Sequence, residues 1–190
     1  MQLKSVSSRE EYRSIEKIYL LSFPENERAP MKLLKKRAKQ GKADFLAAYD
    51  GEKIVGMAYV VCMRDLAYLF YIAVDKSERG KGYGTQTMAA LLKQYSGKRF
   101  FLALEQLDSS ADNYSQRVKR HSFYSACGLH DLPFKLKEGA VTFAAMGKLL
   151  TEGDSSQADG FTVSAQEYGE LMRKFMGFIM SRIVDVRLLP

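Results

Sequence analysis

Cysteine and histidine are scarce in this chain, with two of each among 190 residues. Two cysteines, Cys62 and Cys127, cannot build a disulfide framework, and they read as reduced thiols. Cys127 and His130 have a C-x-x-H spacing, but a tetrahedral zinc site would also need both Cys62 and His121 from distant segments. No metal is therefore expected, and core packing is the better account of the pair. A Cys-His nucleophile is disfavoured too, because Cys127 stands where a helix C-terminus would raise a thiol's pKa. Long hydrophobic runs are also missing. The longest, residues 66–74 and 175–180, fall short of the ~20 residues that span a bilayer. The opening Met1-Gln2-Leu3-Lys4 lacks the apolar stretch of a signal peptide, so a cytoplasmic protein with no membrane partner is expected. No repeat stands out either.

What is present is enough for a packed core. Hydrophobic residues make up 46% of the chain, and the length suits one globular domain with a modest appendage. The net charge of +7 invites a polyanionic partner: nucleic acid, a membrane surface or a phosphorylated small molecule. Charge alone does not choose among these. Basic residues gather between Arg28 and Lys42, interleaved with Met31, Leu33, Leu34 and Ala38. They read as the solvated face of an amphipathic helix that ends at Gly41.

Local signals set out the order of elements. A short strand at residues 3–6 precedes a capping box, Ser7 or Ser8 with Glu10 or Glu11, and a helix carrying Tyr12, Ile15, Ile18 and Tyr19. Pro24 breaks that helix, and the basic helix follows. Residues 44–49 and 53–63, joined at Asp50-Gly51, form the clearest hairpin in the chain. Residues 67–74 read as a strand apolar on both faces, hence central in its sheet. A glycine-rich loop then leads into a helix from Thr85, with Met88, Leu91, Leu92 and Tyr95 on one side. Residues 100–104 return to strand, and another helix ends near Cys127 with Gly128 as its cap. Residues 141–146 make a last core strand. The polar run 151–160 reads as a linker. Beyond it, Ser164 and Glu167 cap a helix whose apolar side holds Tyr168, Leu171, Met172, Phe175, Met176 and Ile179.

The loop is where chemistry is expected. Glycines between a strand and a helix start let backbone N–H groups converge on an anion at the positive end of the helix dipole. A triphosphate P-loop is excluded, since Gly-x-x-x-x-Gly-Lys-Ser/Thr does not occur. The dinucleotide fingerprint fails as well: its third glycine falls on Thr85 or Thr87.

The run Arg79-Gly80-Lys81-Gly82-Tyr83-Gly84 resembles the Gln/Arg-x-x-Gly-x-Gly/Ala motif of the GNAT N-acetyltransferases. Residues 68–74 upstream are similar to that family's splayed fourth strand. Phe123-Tyr124-Ser125-Ala126-Cys127-Gly128-Leu129 resembles its Phe/Leu-Tyr-x-x-x-Gly-Phe helix ending. The resemblance implies an α/β (α+β) fold: a mixed, mostly antiparallel central sheet flanked by helices. It covers residues 1–150, followed by the linker 151–160 and a C-terminal helical extension, 161–190.

The resemblance further implies acetyl-CoA as co-substrate, with its pyrophosphate on the backbone of Gly80, Lys81, Gly82, Tyr83, Gly84 and Thr85. Arg79 and Lys81 would add charge, and Ile72, Ala73 and Val74 would contact the pantetheine arm. Tyr124 aligns with the family's proton donor to the departing thiolate. Glu105, at a strand end, takes the place of an acidic residue that deprotonates the amine directly or through water. One departure is Arg117, which stands where many members carry an Asn against the pantetheine; it or Arg120 would approach the phosphates instead. The implied activity is N-acetylation of a primary amine, on a small molecule or peptide, by direct attack in a ternary complex. The alternatives are a non-catalytic acyl-CoA-binding or sensing protein and a basic nucleic-acid-binding module, the latter disfavoured. A monomer or homodimer is expected.

Overall fold

The computed structural model describes residues 1–150, 161–177 and 185–190. The expected linker over 151–160 lies outside the described residues, as does Ile179 of the expected C-terminal apolar face. Among the described residues, eight strands, mostly antiparallel, and five α-helices make a mixed α/β fold. The chain divides into two compact units, Met1–Cys62 with Leu69–Gln94, and Met63–Tyr68 with Tyr95–Pro190.

In the first unit the strands run in the order β1 (Gln2–Ser5), β2 (Asp44–Asp50), β3 (Lys53–Met63) and β4 (Leu66–Val74). Helix α1 (Arg9–Ser22) starts at the expected capping box. The Ser8 hydroxyl accepts from the Glu11 N–H at 3.1 Å, and the Glu11 carboxylate accepts from the Ser8 N–H at 2.7 Å. Those backbone donors, with Ser7, hold the Glu11 carboxyl down to about 2. The helix buries Ile15, Ile18 and Tyr19. Helix α2 (Met31–Lys39) buries only Leu34 and exposes Lys32, Lys36 and Lys39, but Lys35 is half-buried against Glu16 and the Arg37 Nε is buried, and Gly41 beyond the helix adopts a φ of 64°. The Asp50-Gly51 hairpin forms: Asp50 pairs with Lys53, and Gly51, at φ 59°, makes the turn. β3 is fully buried from Met57 to Val61, and every residue of β4 is buried or half-buried, as its two apolar faces require.

Helix α3 (Tyr83–Gln94) completes this unit. It begins two residues earlier than the periodicity implies, because Gly82, at φ 79°, ends the loop and the next residue is already helical.

The second unit carries strands in the order β5 (Arg99–Glu105), β7 (Val141–Leu149), β6 (His130–Glu138) and β8 (Val186–Leu189). Helix α4 (Tyr114–Ala126) ends at Cys127, where Gly128 takes φ 83° and its N–H donates to the Ser125 carbonyl at 2.9 Å. Two strands are absent from the sequence expectations. β6 buries Leu132, Phe134 and Leu136 in strict alternation, but Pro133 and four charged residues disguise it. The register shift between Asp131 and Lys135 accommodates that proline, which has no N–H for a ladder. β8 follows α5 (Ala165–Met176) and pairs with β6 from Lys135 to Glu138. The C-terminal segment thus supplies a strand as well as a helix. α5 opens on the expected capping box of Ser164 and Glu167 and buries Tyr168, Leu171, Met172, Phe175 and Met176.

Candidate active site

Strand β4 ends on Ile72, Ala73 and Val74, the residues expected along the pantetheine arm. The strand before it approaches unusually closely there. A Cβ built on Gly56 of β3 would lie 2.6 Å from the Ala73 carbonyl oxygen, so only glycine fits. The Asp75 N–H then donates to Val55 at 2.9 Å, and the chain leaves the strand through a 3₁₀ turn, Lys76–Glu78. Asp75 caps that turn by accepting from the Ser77 N–H at 2.9 Å and its hydroxyl at 2.7 Å, which lowers the Asp75 pKa.

The glycine loop follows directly. Gly80 and Gly82 have φ values of 81° and 79°, a region that a side chain penalises. The loop delivers the chain into α3, whose first-turn N–H groups on Tyr83, Gly84 and Thr85 have no acceptor within the helix. Glycines that fold the backbone without side chains, ahead of a helix twelve residues long, fit the pyrophosphate of coenzyme A.

The charged neighbours are ordered by a carboxylate that sequence reasoning passed over. Glu78, only 5% exposed, accepts from Lys53 at 2.7 Å and from Lys81 at 2.9 Å, and these two ammonium groups hold its pKa down to about 2. The i,i+3 spacing of Glu78 and Lys81 was the only local signal for this, since Lys53 lies on another element. Lys81, expected beside the phosphates, is therefore fixed from behind. Arg79 donates from Nε to the Val74 carbonyl and from Nη2 to the Ser22 hydroxyl, both at 3.3 Å. Tyr83 donates to Asp50 at 2.5 Å, tying the start of α3 to the β2–β3 turn. All of the loop residues and the β4 end thus belong to one unit.

Within the second unit, Glu105 closes β5. Its Oε1 accepts from the Asn113 amide at 2.8 Å, and its Oε2 pairs with Arg120. Arg117, expected among the cofactor contacts, is engaged inside this unit. Its Nε donates to Asn113 at 2.7 Å, its Nη1 donates to the Gln106 carbonyl at 2.8 Å, and its Nε lies 3.6 Å from Glu105. Asn113, the N-cap of α4, and Arg120, in the middle of that helix, complete the cluster.

Tyr124, one turn beyond Arg120, is half-buried beside Phe123, with ring centroids 5.1 Å apart. Desolvation pushes its phenol up to about 12, against the opposing pull of the Arg120 charge. Cys127 is a half-buried free thiol, also pushed up by burial. Among the described residues, no group of three His, Cys, Asp or Glu side chains is placed to hold a metal ion. Nor, among them, is any helix long and apolar enough to cross a membrane.

Residues 12–129 match the profile of the acetyltransferase (GNAT) family. No curated protein matches the chain. Among solved structures it is similar to a protein described as a GNAT-family acetyltransferase from Bacteroides thetaiotaomicron. That likeness has 17% identity over 95% of this chain and 98% of that one, with a TM-score of 0.66. It is also similar to an aminoglycoside 6'-N-acetyltransferase complexed with coenzyme A, at 16% identity over 82% of this chain and all of that one, TM-score 0.63. A third is the ribosomal-protein-S18-alanine N-acetyltransferase from Escherichia coli, at 15% identity over 82% and 97%, TM-score 0.61. At these identities the structural likeness shows the fold alone. The profile match is the stronger finding, because it runs over more than half of the chain and contains β4, the glycine loop, α3 and the Tyr124 segment. On that ground the chain belongs to the GNAT family of acetyltransferases.

Proposed function

We propose that this protein is an N-acetyltransferase that moves the acetyl group of acetyl-CoA to a primary amine by direct attack in a ternary complex. The observation that carries this reading is the loop: Gly80 and Gly82 at positive φ, leading from β4 into α3. The similar structures whose names state an acceptor act on an aminoglycoside and on a protein alanine. An amine on a small molecule or peptide is the acceptor class for this chain.

Each residue then has a physical task. Backbone N–H groups of residues 80–85 hold the pyrophosphate, while Arg79 and Lys81 supply positive charge from fixed positions. The end of β4 at Ile72, Ala73 and Val74 aligns the pantetheine arm. In the reaction, the amine nitrogen forms a bond to the thioester carbonyl carbon as the C–S bond breaks, and the backbone N–H near Ile72–Val74 steadies the developing oxyanion. The balance needs one proton given to the leaving sulfur and one taken from the nitrogen.

Tyr124 is the donor. A phenol held near 12 keeps its proton at neutral pH and is available when the thiolate forms. Glu105 is the acceptor of the amine proton, through water. Asn113 and Arg120 orient its oxygens, although an oxygen already paired with Arg120 has less room for that water.

The test uses ligand and turnover together. Acetyl-CoA at 100 times its Kd should stabilise the fold by about 2.7 kcal/mol. That corresponds to a Tm rise of about 5–11 °C for a chain of this size. Thiol release with a panel of amines, polyamines, aminoglycosides and peptide N-termini then reads catalysis. Stabilisation without turnover on any acceptor would make the protein a coenzyme A sensor. The absence of both would remove the reading.

A further inference from the structure

Arg28 stands between the short 3₁₀ turn Glu25–Glu27 and helix α2, in a segment fixed on both sides of it. The Tyr71 hydroxyl accepts from the Ala29 N–H and donates to the Glu27 carbonyl, each at 2.9 Å. The Tyr19 hydroxyl donates to the Ala29 carbonyl at 3.0 Å. Tyr19 and Tyr71 are themselves buried, 1% and 7% exposed, and their rings pack edge-on at 5.0 Å. A backbone held this way launches the Arg28 side chain from a fixed origin.

Among the described residues, no hydrogen-bond or ion-pair partner meets the guanidinium so placed. Its Nε is shut off from solvent and donates to nothing, and among the described residues no acceptor takes its other N–H groups. Glu25 and Glu27 flank it in sequence. Arg79 donates to Val74 and Ser22, and Arg37, whose Nε is buried in the same way, donates from Nη1 to Gln40. Buried donors are almost always satisfied in folded proteins, so an orphan of this kind calls for an external acceptor. A guanidinium fork matches the planar pair of oxygens of a carboxylate better than any neutral group. Burial of the Nε favours a charged pair over two hydrated ions only when the fit is close.

Position says which molecule brings the anion. Tyr71, which pins the residues on either side of Arg28, immediately precedes Ile72 on β4. The phosphate loop begins only at Arg79, beyond the 3₁₀ turn. Arg28 is therefore tied to the strand end assigned to the acyl arm and not to the phosphate cradle.

We infer that Arg28 binds a carboxylate of the acceptor, so that the preferred substrate is an amine that also carries a carboxylate, such as an amino acid or an acidic peptide end. This rests on the acetyl-transfer reading above and specifies its acceptor.

The test compares amino acids with their carboxamides as acceptors, in the wild type and in Arg28→Gln and Arg28→Lys, on the full chain. Wild-type kcat/KM should favour the carboxylate member of each pair. Arg28→Gln should lower that preference about 10- to 100-fold through KM, with Arg28→Lys between, since lysine keeps the charge but loses the fork. Because no partner of the guanidinium lies among the described residues, neither variant should lower Tm. The same pairs, as N-acetylated products, should show the preference in binding to the protein with coenzyme A, measured calorimetrically without turnover. Equal binding of the N-acetyl amino acids and their carboxamides by the wild type overturns the inference, whether or not acetyl transfer is found. So does an Arg28→Gln variant whose principal defect is weaker acetyl-CoA binding. Loss of acetyl-CoA binding by the wild type itself would instead strike the functional reading.

Discussion

Replacing Tyr168 by phenylalanine removes one oxygen atom from the interior of the second unit and leaves the ring in place. Tyr168 is fully buried, and its hydroxyl donates to Glu138 Oε1 at 2.6 Å. Tyr68, 2% exposed, donates to the same oxygen at the same distance. The carboxylate on β6 thus holds α5 through one tyrosine and β4 through the other. A hydrogen bond to a charged group contributes about 1.5–3 kcal/mol, so Tyr168→Phe should lose about that much. At roughly 2–4 °C per kcal/mol, the Tm should fall by about 3–12 °C.

The pH dependence gives an independent check. Burial raises the Glu138 pKa, with the two tyrosines pulling it back. A carboxyl whose folded pKa is raised contributes stability that is fully present below its unfolded value of 4.5 and is lost as pH rises through the folded value. Glu138→Gln, which stays neutral, should therefore gain stability over the wild type as pH rises above 4.5, and the difference should vanish in acid. Urea unfolding followed by circular dichroism reads both effects. A Tyr168→Phe variant within about 0.5 kcal/mol of wild type would place Tyr168 among ordinary apolar core residues, where a surface-like change is usual. A Glu138→Gln difference that does not vary with pH would refute the buried-carboxylate argument.

Tyr124→Phe should lower kcat by about 10²- to 10⁴-fold with acetyl-CoA affinity little changed, and steady-state thiol release would show undiminished turnover if the phenol is not the acid. Gly56→Ala puts a methyl group 2.6 Å from the Ala73 carbonyl and should destabilise by about 1–3 kcal/mol, read as a Tm loss, while raising KM for acetyl-CoA through the displaced strand end. Arg99 donates to Asp65 at 2.7 Å and to Glu167 at 2.6 Å, and it holds the Glu167 carboxyl down to about 2. That pair contributes stability present above 4.5 and lost as pH falls towards 2, so Arg99→Met should lower Tm at pH 7 and flatten the acid limb of the Tm profile.

Elements defined by neighbours in sequence were legible before any coordinates. Two capping boxes, at Ser8 and Ser164, and the Asp50-Gly51 turn need only residues within a few positions of one another. The glycine loop belongs with them, because positive φ is demanded by the local path of the chain. β6 was hidden because a proline and charges interrupt its alternation, and only the bulge opposite β7 shows how the strand tolerates them. β8 is a strand because β6 offers it an edge, and no propensity in Val186–Leu189 says so.

The candidate site divides along the same line. Sequence by itself determined the residue types available for chemistry: the loop from Arg79 to Thr85, the Tyr124 motif, and a scarcity of cysteine and histidine. Tertiary structure decided what those residues are free to do. Lys81 is held by Glu78 together with Lys53, Arg117 is taken up by Asn113 and Gln106, and Glu105 is bound to Arg120. It also left the Arg28 Nε buried and, among the described residues, without a hydrogen-bond partner. The physical reason is range. Caps, turns and positive-φ glycines are satisfied by atoms a few residues away, whereas a charged side chain is satisfied or orphaned by whatever the fold brings within about 3 Å of it.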